Sequence, residues 1–406
     1  MNDLATVPSP SRSGSTGGPR AMVYVRDEDS EGVIRQALGS LGVSDAEFNS
    51  GGVTKAIADL SERPSPRLLI VDVGDVADPR GPAADLVGVC EPSTGVVLVG
   101  ESNDIRLYRV LRESGVAEYF FKPLVLALLA PTCGAILNGA QGPSQGRNPP
   151  KVRTGKLIFV LGARGGVGAT SIAVRTAWRL AEHPPRPVML LDLDLQLGDA
   201  ALQLDVKPGH ALREALERAE RVDELFLERG VIHVTKHLSL LASLEPLAAT
   251  PPFEEEALLS LLDALGRRYR YIVVDFPVFR AVALPHVLHL PSFLVVVSDG
   301  RLSSAREVGR LRELVGPDSP ERTTMQILNK NGAPGSLQLD EFTRGAGRAP
   351  DVVIPWSQDI AAAANLGVKI KPDSPAFDRA LAPLFARVAG ERVQGPRSLF
   401  SRLRLS

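Results

Sequence analysis

The sequence predicts an α/β protein built from two doubly wound parallel-sheet domains joined by a flexible linker, and three observations carry that prediction. First, 406 residues exceed what one hydrophobic core organises, while an apolar share of 44% suffices for two. Second, short β-rich apolar runs alternate with stretches of helical period in two separate blocks, and such βα alternation implies a parallel sheet. Third, the blocks are separated by "QGPSQGRNPPKVRTG" at 141–155, too rich in Pro, Gly and polar residues to bury a core.

Taken in order, residues 1–20 share the linker's composition and read as a disordered tail. In the first block, 21–140, "AMVYV", "RLLIVDV", "GVVLVG" and "EYFF" read as strands, with "SEGVIRQALGSLG" and "DIRLYRVLRESG" as helices. In the second, 156–390, the strand candidates are "KLIFVLG", "PVMLLDLD", "LSLLA", "YIVVDFP", "FLVVVS", "MQILNKN" and "DVVIP". The final stretch, 391–406, is a basic amphipathic tail in which Leu399, Phe400 and Leu403 oppose Arg397, Arg402 and Arg404. So short a segment buries little apolar area, which leaves a frayed tail, a partner-docking helix and a weak membrane contact as alternatives.

Composition narrows the function classes. Lys plus Arg (46) balance Asp plus Glu (47), which argues against chain-wide attraction to nucleic acid or anionic lipid, so no specific nucleic acid is expected as a partner. Arg301, Arg306, Arg310 and Arg312 read as a solvated helix face. Cys90 and Cys133 lie in apolar stretches without metal-ligand spacing and read as small buried side chains in a reducing compartment, ahead of a redox switch. No run approaches the roughly 18 apolar residues of a membrane span, and the N-terminal stretch has no apolar signal core, so a cytoplasmic protein is expected.

The stretch that carries chemistry is "GARGGVGATS", 162–171, placed between the strand "KLIFVLG" and the helical "TSIAVRTAWRLAEH". Gly165, Gly166 and Gly168 let the backbone curl around an anion, and the following helix aims its N-terminal N–H groups at the same place. Arg164 to Ser171, including Val167, Ala169 and Thr170, thus read as a phosphate-binding loop with Thr170 as a Mg²⁺ ligand. Asp192 and Asp194 end the next strand of the block, and Asp275 ends "YIVVDFP". Carboxyl ends of strands in an open α/β sheet converge on a ligand crevice, so these three carboxylates are placed to surround Mg²⁺ and an attacking water.

With these motifs the chain resembles the deviant Walker ATPases of the MinD and ParA class, and within them the TadZ/CpaE pilus-assembly proteins. The resemblance rests on the loop, "LDLDLQLGDAALQLD", "YIVVDFP", "ILNKN" and "IPWSQDIAAAANLG", and on "GESNDIRLYRVLRESGVAEYFFKPL", which resembles the end of a receiver-like domain. It implies ATP and Mg²⁺ as cofactors and a nucleotide sandwich homodimer in which Arg164 crosses to the partner's phosphates. It further implies water positioning by Asp194, Mg²⁺ support from Thr170 and Asp275, and adenine contact from Asn329; Asp192 is expected as a further metal ligand from its strand-end position, and Pro355 as a further cofactor contact. The task implied is recruitment of the Tad/Flp pilus secretion machinery, including its secretion ATPase, to a cell pole or the inner face of the membrane.

Two departures concern charge on the phosphates. Arg164 stands for the signature lysine, keeping the charge on a longer planar fork. Ala169 stands for the in-line lysine, and loss of one charged donor costs about 1.5–3 kcal/mol in binding but about 10²–10³ in rate where charge develops. The expectation is a site that holds ATP with weak or absent hydrolysis. The alternatives are an active ParA/MinD-type ATPase cycling on DNA or membrane, and a phosphorylation-controlled output. In the first block Asp72 and Lys122 fit a phosphate-accepting receiver, but Arg26 interrupts the acidic pair before Asp27 and Gly100 occupies the hydroxyl position. A pseudo-receiver follows, with Asp72 read as a solvated strand-end carboxylate.

Overall fold

The computed structural model of the protein describes residues 19–138, 155–218, 222–249, 253–319, 321–358 and 375–389. The chain divides into two compact units, residues 1–87 with 94–151, and 88–93 with 152–406. The linker from 141 to 154, residues 1–18 and the tail beyond 389 lie outside the described residues.

The first unit holds a five-stranded sheet in the order β2-β1-β3-β4-β5. Its strands are β1 (Ala21–Val25), β2 (Glu47–Ser50), β3 (Leu68–Asp72), β4 (Gly95–Gly100) and β5 (Glu118–Phe121), all paired in parallel. β1, β3 and β4 are nearly uniform apolar runs because helices cover both faces. On one face Val23, Ile70, Val97 and Val99 pack with Ile34 and Leu38 of helix Glu28–Ser40 and with Leu129 and Cys133 of helix Leu126–Leu137. The strand order reverses beside β1, which opens a crevice at the carboxyl ends of β1 and β3.

The second unit holds an eight-stranded sheet in the order β13-β12-β11-β6-β10-β7-β9-β8. The strands are β6 (Lys156–Gly162), β7 (Val188–Asp192), β8 (Ile232–His233), β9 (Leu238–Leu241), β10 (Tyr271–Asp275), β11 (Ser292–Ser298), β12 (Arg322–Asn331) and β13 (Val352–Pro355). All pair in parallel except β8, which runs antiparallel to β9. Alternation along β6 sends Phe159 and Leu161 into one core and Ile158 and Val160 into the other. Every strand the sequence predicts is present. Two more, β2 and β8, are short and had no apolar pattern to mark them. Cys90 and Cys133 are both buried and neither forms a disulfide, and burial pushes the Cys133 thiol up to about 12.

Candidate functional site

The loop between β6 and helix Ala169–Glu182 is built on two left-handed glycines, Gly166 (φ 77°) and Gly168 (φ 92°), conformations that L side chains rarely adopt. Gly168 is also closed to substitution by space, since a Cβ there would sit 2.5 Å from Asn329 Nδ2. Over Gly165 and Gly166 an added Cβ meets nothing within 4 Å, so the loop's outer side is open. Arg164 is exposed, with no ion pair among the described residues. From β12, Asn329 Nδ2 donates to the Val167 carbonyl at 2.9 Å, and the Lys330 ammonium donates to the Gly166 carbonyl at 2.7 Å. Pro355 ends β13 opposite Asn331 and is exposed.

Strand register brings the carboxylates together. Asp275 of β10 stands opposite Asp192 of β7 and Val160 of β6, two residues before β6 ends at Gly162. The Thr170 hydroxyl lies beside the Asp275 carboxylate and acts to lower its pKa, and Asp275 and Asp192 are 6% and 1% exposed. Burial pushes both carboxyls above the usual range, and for Asp192 the neighbouring Asp275 adds to the shift. Among the described residues neither has a cation in an ion pair. Asp192 Oδ1 accepts from the Asp194 N–H at 3.0 Å and Oδ2 from the Ala200 N–H at 3.2 Å, so this carboxylate shapes the loop after β7. Asp194 Oδ1 in turn accepts from the N–H of Leu197 at 3.0 Å. Thr170 and Asp275 are therefore the pair best placed to meet a cation that shares its ligands with phosphate oxygens. Among the described residues no group of three or more His, Cys, Asp or Glu is arranged to hold a metal ion by itself.

The sequence signal for Asn329 was the strand end "ILNKN"; Lys330 beside it carried none. Its contact depends on a register shift between β12 and β13 at Leu328/Asn331 and on a left-handed backbone (φ 57°) at the lysine. Neither is legible in a local run of residues.

The carboxyl end of the first sheet is different. Asp72 is 0% exposed, which corrects the reading of it as a solvated strand-end carboxylate. Lys122 Nζ donates to Asp27 Oδ2 at 2.5 Å and to Asp72 Oδ2 at 2.6 Å, while Asp72 Oδ1 accepts from the Gly74 N–H at 2.7 Å. A Cβ built on Gly74 would lie 2.9 Å from the Arg26 guanidinium, 3.0 Å from Asp72 and 3.9 Å from Glu101, so all three converge there. Gly100 is closed to a hydroxyl residue, because its Cβ would meet Tyr119 Oη at 2.7 Å and Val73 Cγ2 at 3.0 Å. Arg306 and Arg310 pair with Glu307, and Arg301 pairs with Asp299, on the helix Leu302–Val315 and its approach. Among the described residues no helix is long and apolar enough to cross a membrane.

A parallel sheet whose central strand feeds a glycine loop and a helix N-terminus, flanked by strand-end carboxylates, defines the larger unit as a P-loop fold. Among solved structures, a ParA family ATPase from Chlorobium tepidum shares that fold: it aligns with 57% of this chain and 98% of its own, at 24% identity and a TM-score of 0.50. The antiactivator FleN of Pseudomonas aeruginosa is 25% identical over 247 residues, covering 59% of this chain and 86% of FleN. The pilus assembly protein CpaE of Caulobacter crescentus aligns with 29% of this chain and 97% of its own, at 31% identity and a TM-score of 0.27. No family model matches the chain.

Proposed function

We propose that this protein is an ATP-binding scaffold that holds nucleotide at residues 164–171, dimerises around it and hydrolyses it slowly or not at all. The observation that carries the reading is the loop itself: its glycine geometry is intact, its outer side is open, and Ala169 leaves it without a lysine of its own. The backbone N–H groups and the N-terminus of helix Ala169–Glu182 provide the cradle for the phosphates. Thr170 and Asp275 would hold Mg²⁺, whose chemistry when bound is to neutralise phosphate charge. Arg164, exposed and in no ion pair among the described residues, would reach a second copy's phosphates. Asp194, on the loop after β7, is the residue assigned to water positioning.

Weak turnover follows from the missing lysine. Backbone donors bind ground-state phosphates well, but the charge that develops on transfer needs a preorganised cation, and removing one such donor costs about 10²–10³ in rate. The role in Flp-type pilus assembly, with the secretion machinery as partner and a cell pole or inner membrane face as location, is supported by the motif resemblance set out above. The test is equilibrium ATP·Mg²⁺ binding measured beside steady-state phosphate release on the purified chain. Micromolar or weaker binding with little release supports a holding site; absence of heat and of competition at millimolar ATP contradicts it.

A further inference from the structure

Ala169 takes a cation out of the loop, yet one still touches it from β12, two strands away from β6 in the sheet. In a regular strand Asn329 and Lys330 would point to opposite faces of the sheet. Here both reach the same loop, because the β12–β13 register shifts at Leu328/Asn331 and Lys330 adopts φ 57°, with its N–H held by Asn329 Oδ1 at 2.9 Å. A lysine in the left-handed region is strained, and such strain persists only where surrounding contacts fix it.

The two side chains take consecutive carbonyls, Lys330 that of Gly166 and Asn329 that of Val167. A trans peptide unit is planar, with its C=O and N–H pointing in opposite directions. Fixing those two carbonyls toward β12 therefore turns the N–H groups of Val167 and Gly168 away from it. Among the described residues neither N–H makes a hydrogen bond of normal geometry within the protein. A cation on the carbonyl of a peptide unit also polarises its N–H, strengthening it as a donor to an anion.

We propose that Asn329 and Lys330 form a brace behind the phosphate loop, and that Lys330 is a positioning residue whose charge, transmitted through the Gly166–Val167 peptide, offsets part of what Ala169 removes. The inference rests on the reading that the loop holds nucleotide phosphates. It assigns Lys330 no contact with the nucleotide. A charge that orients and polarises backbone donors strengthens ground-state binding, yet it is not aimed at the transferring phosphoryl group. Affinity is thus kept without restoring turnover.

The test uses the full-length chain, with calorimetric titration of ATP·Mg²⁺ at fixed ionic strength and thermal melting of each variant without nucleotide. Lys330→Met is expected to lower ATP affinity about tenfold, the low end for a charge-assisted contact, while Lys330→Arg stays within about threefold of the parent. Lys330→Gly relieves the left-handed strain and removes the charge, so it is expected to fold at least as well as the parent and bind ATP as weakly as Lys330→Met. Adding Ala169→Lys to Lys330→Gly is expected to recover the lost affinity. Parent-like affinity in Lys330→Gly, or a loss in Lys330→Arg equal to that in Lys330→Met, overturns the brace while leaving the nucleotide-holding function intact. A parent chain that fails to bind ATP overturns both.

Discussion

At the carboxyl end of the five-stranded sheet, Asp27 and Asp72 share the ammonium of Lys122, and the Arg26 guanidinium converges on the same point. At the corresponding end of the eight-stranded sheet, Asp192 and Asp275 face each other in register, buried, with no cation of the chain in an ion pair among the described residues. Parallel-sheet topology delivers carboxylates to strand ends in both cases. What differs is where the compensating charge comes from. The first cluster is neutralised from within, so a divalent cation gains little there and must displace Lys122. The second is left with burial, and for Asp192 the neighbouring Asp275 as well, holding its carboxyls above the usual range, an arrangement that Mg²⁺ and phosphate would relieve on the proposed reading. One site is closed by its own side chains; the other, on the proposed reading, would be completed by a ligand.

The sharpest way to break this contrast is to open the closed site. Lys122→Met leaves Asp72 buried without its partner, and the expected cost is roughly 3 kcal/mol of stability. Urea unfolding followed through the first unit measures it, and a loss below about 1 kcal/mol would mean that water, not Lys122, satisfies the pair. A smaller change sharpens the other side. Ala169→Lys returns an in-line cation to a loop whose backbone is already set, and turnover is expected to rise by about 10²-fold or less while binding tightens by less than that. Steady-state phosphate release beside equilibrium binding reads both, and unchanged turnover would place the defect elsewhere than residue 169.

How far these two ends were legible in the sequence depends on the distance between partners. Strands ending at Asp72, Asp192 and Asp275 were readable because each is a short apolar run with its own turn, and the glycine loop because its signature is contiguous. β2, "EFNS", and the two-residue β8 were not, since neither carries alternation or β-branched enrichment. The burial of Asp72 was not legible although Lys122, 50 residues further on, was named beside it, because what covers a strand end is set by tertiary packing. Lys330 was missed for another reason: a register shift and a positive φ at a lysine are imposed by tertiary packing, which no local pattern announces.

Acid gives a weaker test of the closed site. Burial alone pushes Asp27 up, but hydrogen bonds from Lys122 and Ser30 outweigh it, and its carboxyl is held below the ordinary 3.8. A depressed folded pKa means the unfolded chain binds the proton more readily, so this contribution is present above about pH 4 and is lost as pH falls through the folded value. With Asp27 40% exposed, the loss is no more than about 1 kcal/mol. Unfolding of the parent and of Asp27→Asn across pH 2–6 is expected to differ least at the acid end; a constant difference would remove Asp27 from the pair. The smallest expected effect is none: small phosphodonors should leave Asp72 unmodified by mass spectrometry, because the carboxylate is fully buried and engaged by Lys122 and Gly74. A phosphorylated species lost in Asp72→Asn would show that the cluster opens.

The claim that joins the two ends is that the completed site holds its nucleotide and does not need to consume it. Asp194→Asn tests this most directly, because the amide keeps the oxygen that accepts from Leu197 in the loop while the charge assigned to water positioning is lost. The measurement is piliation of cells carrying Asp194→Asn, with ATP binding of the purified variant confirmed. Near-normal piliation is the result this account predicts. Loss of piliation with ATP binding intact would contradict it and identify a cycling ATPase.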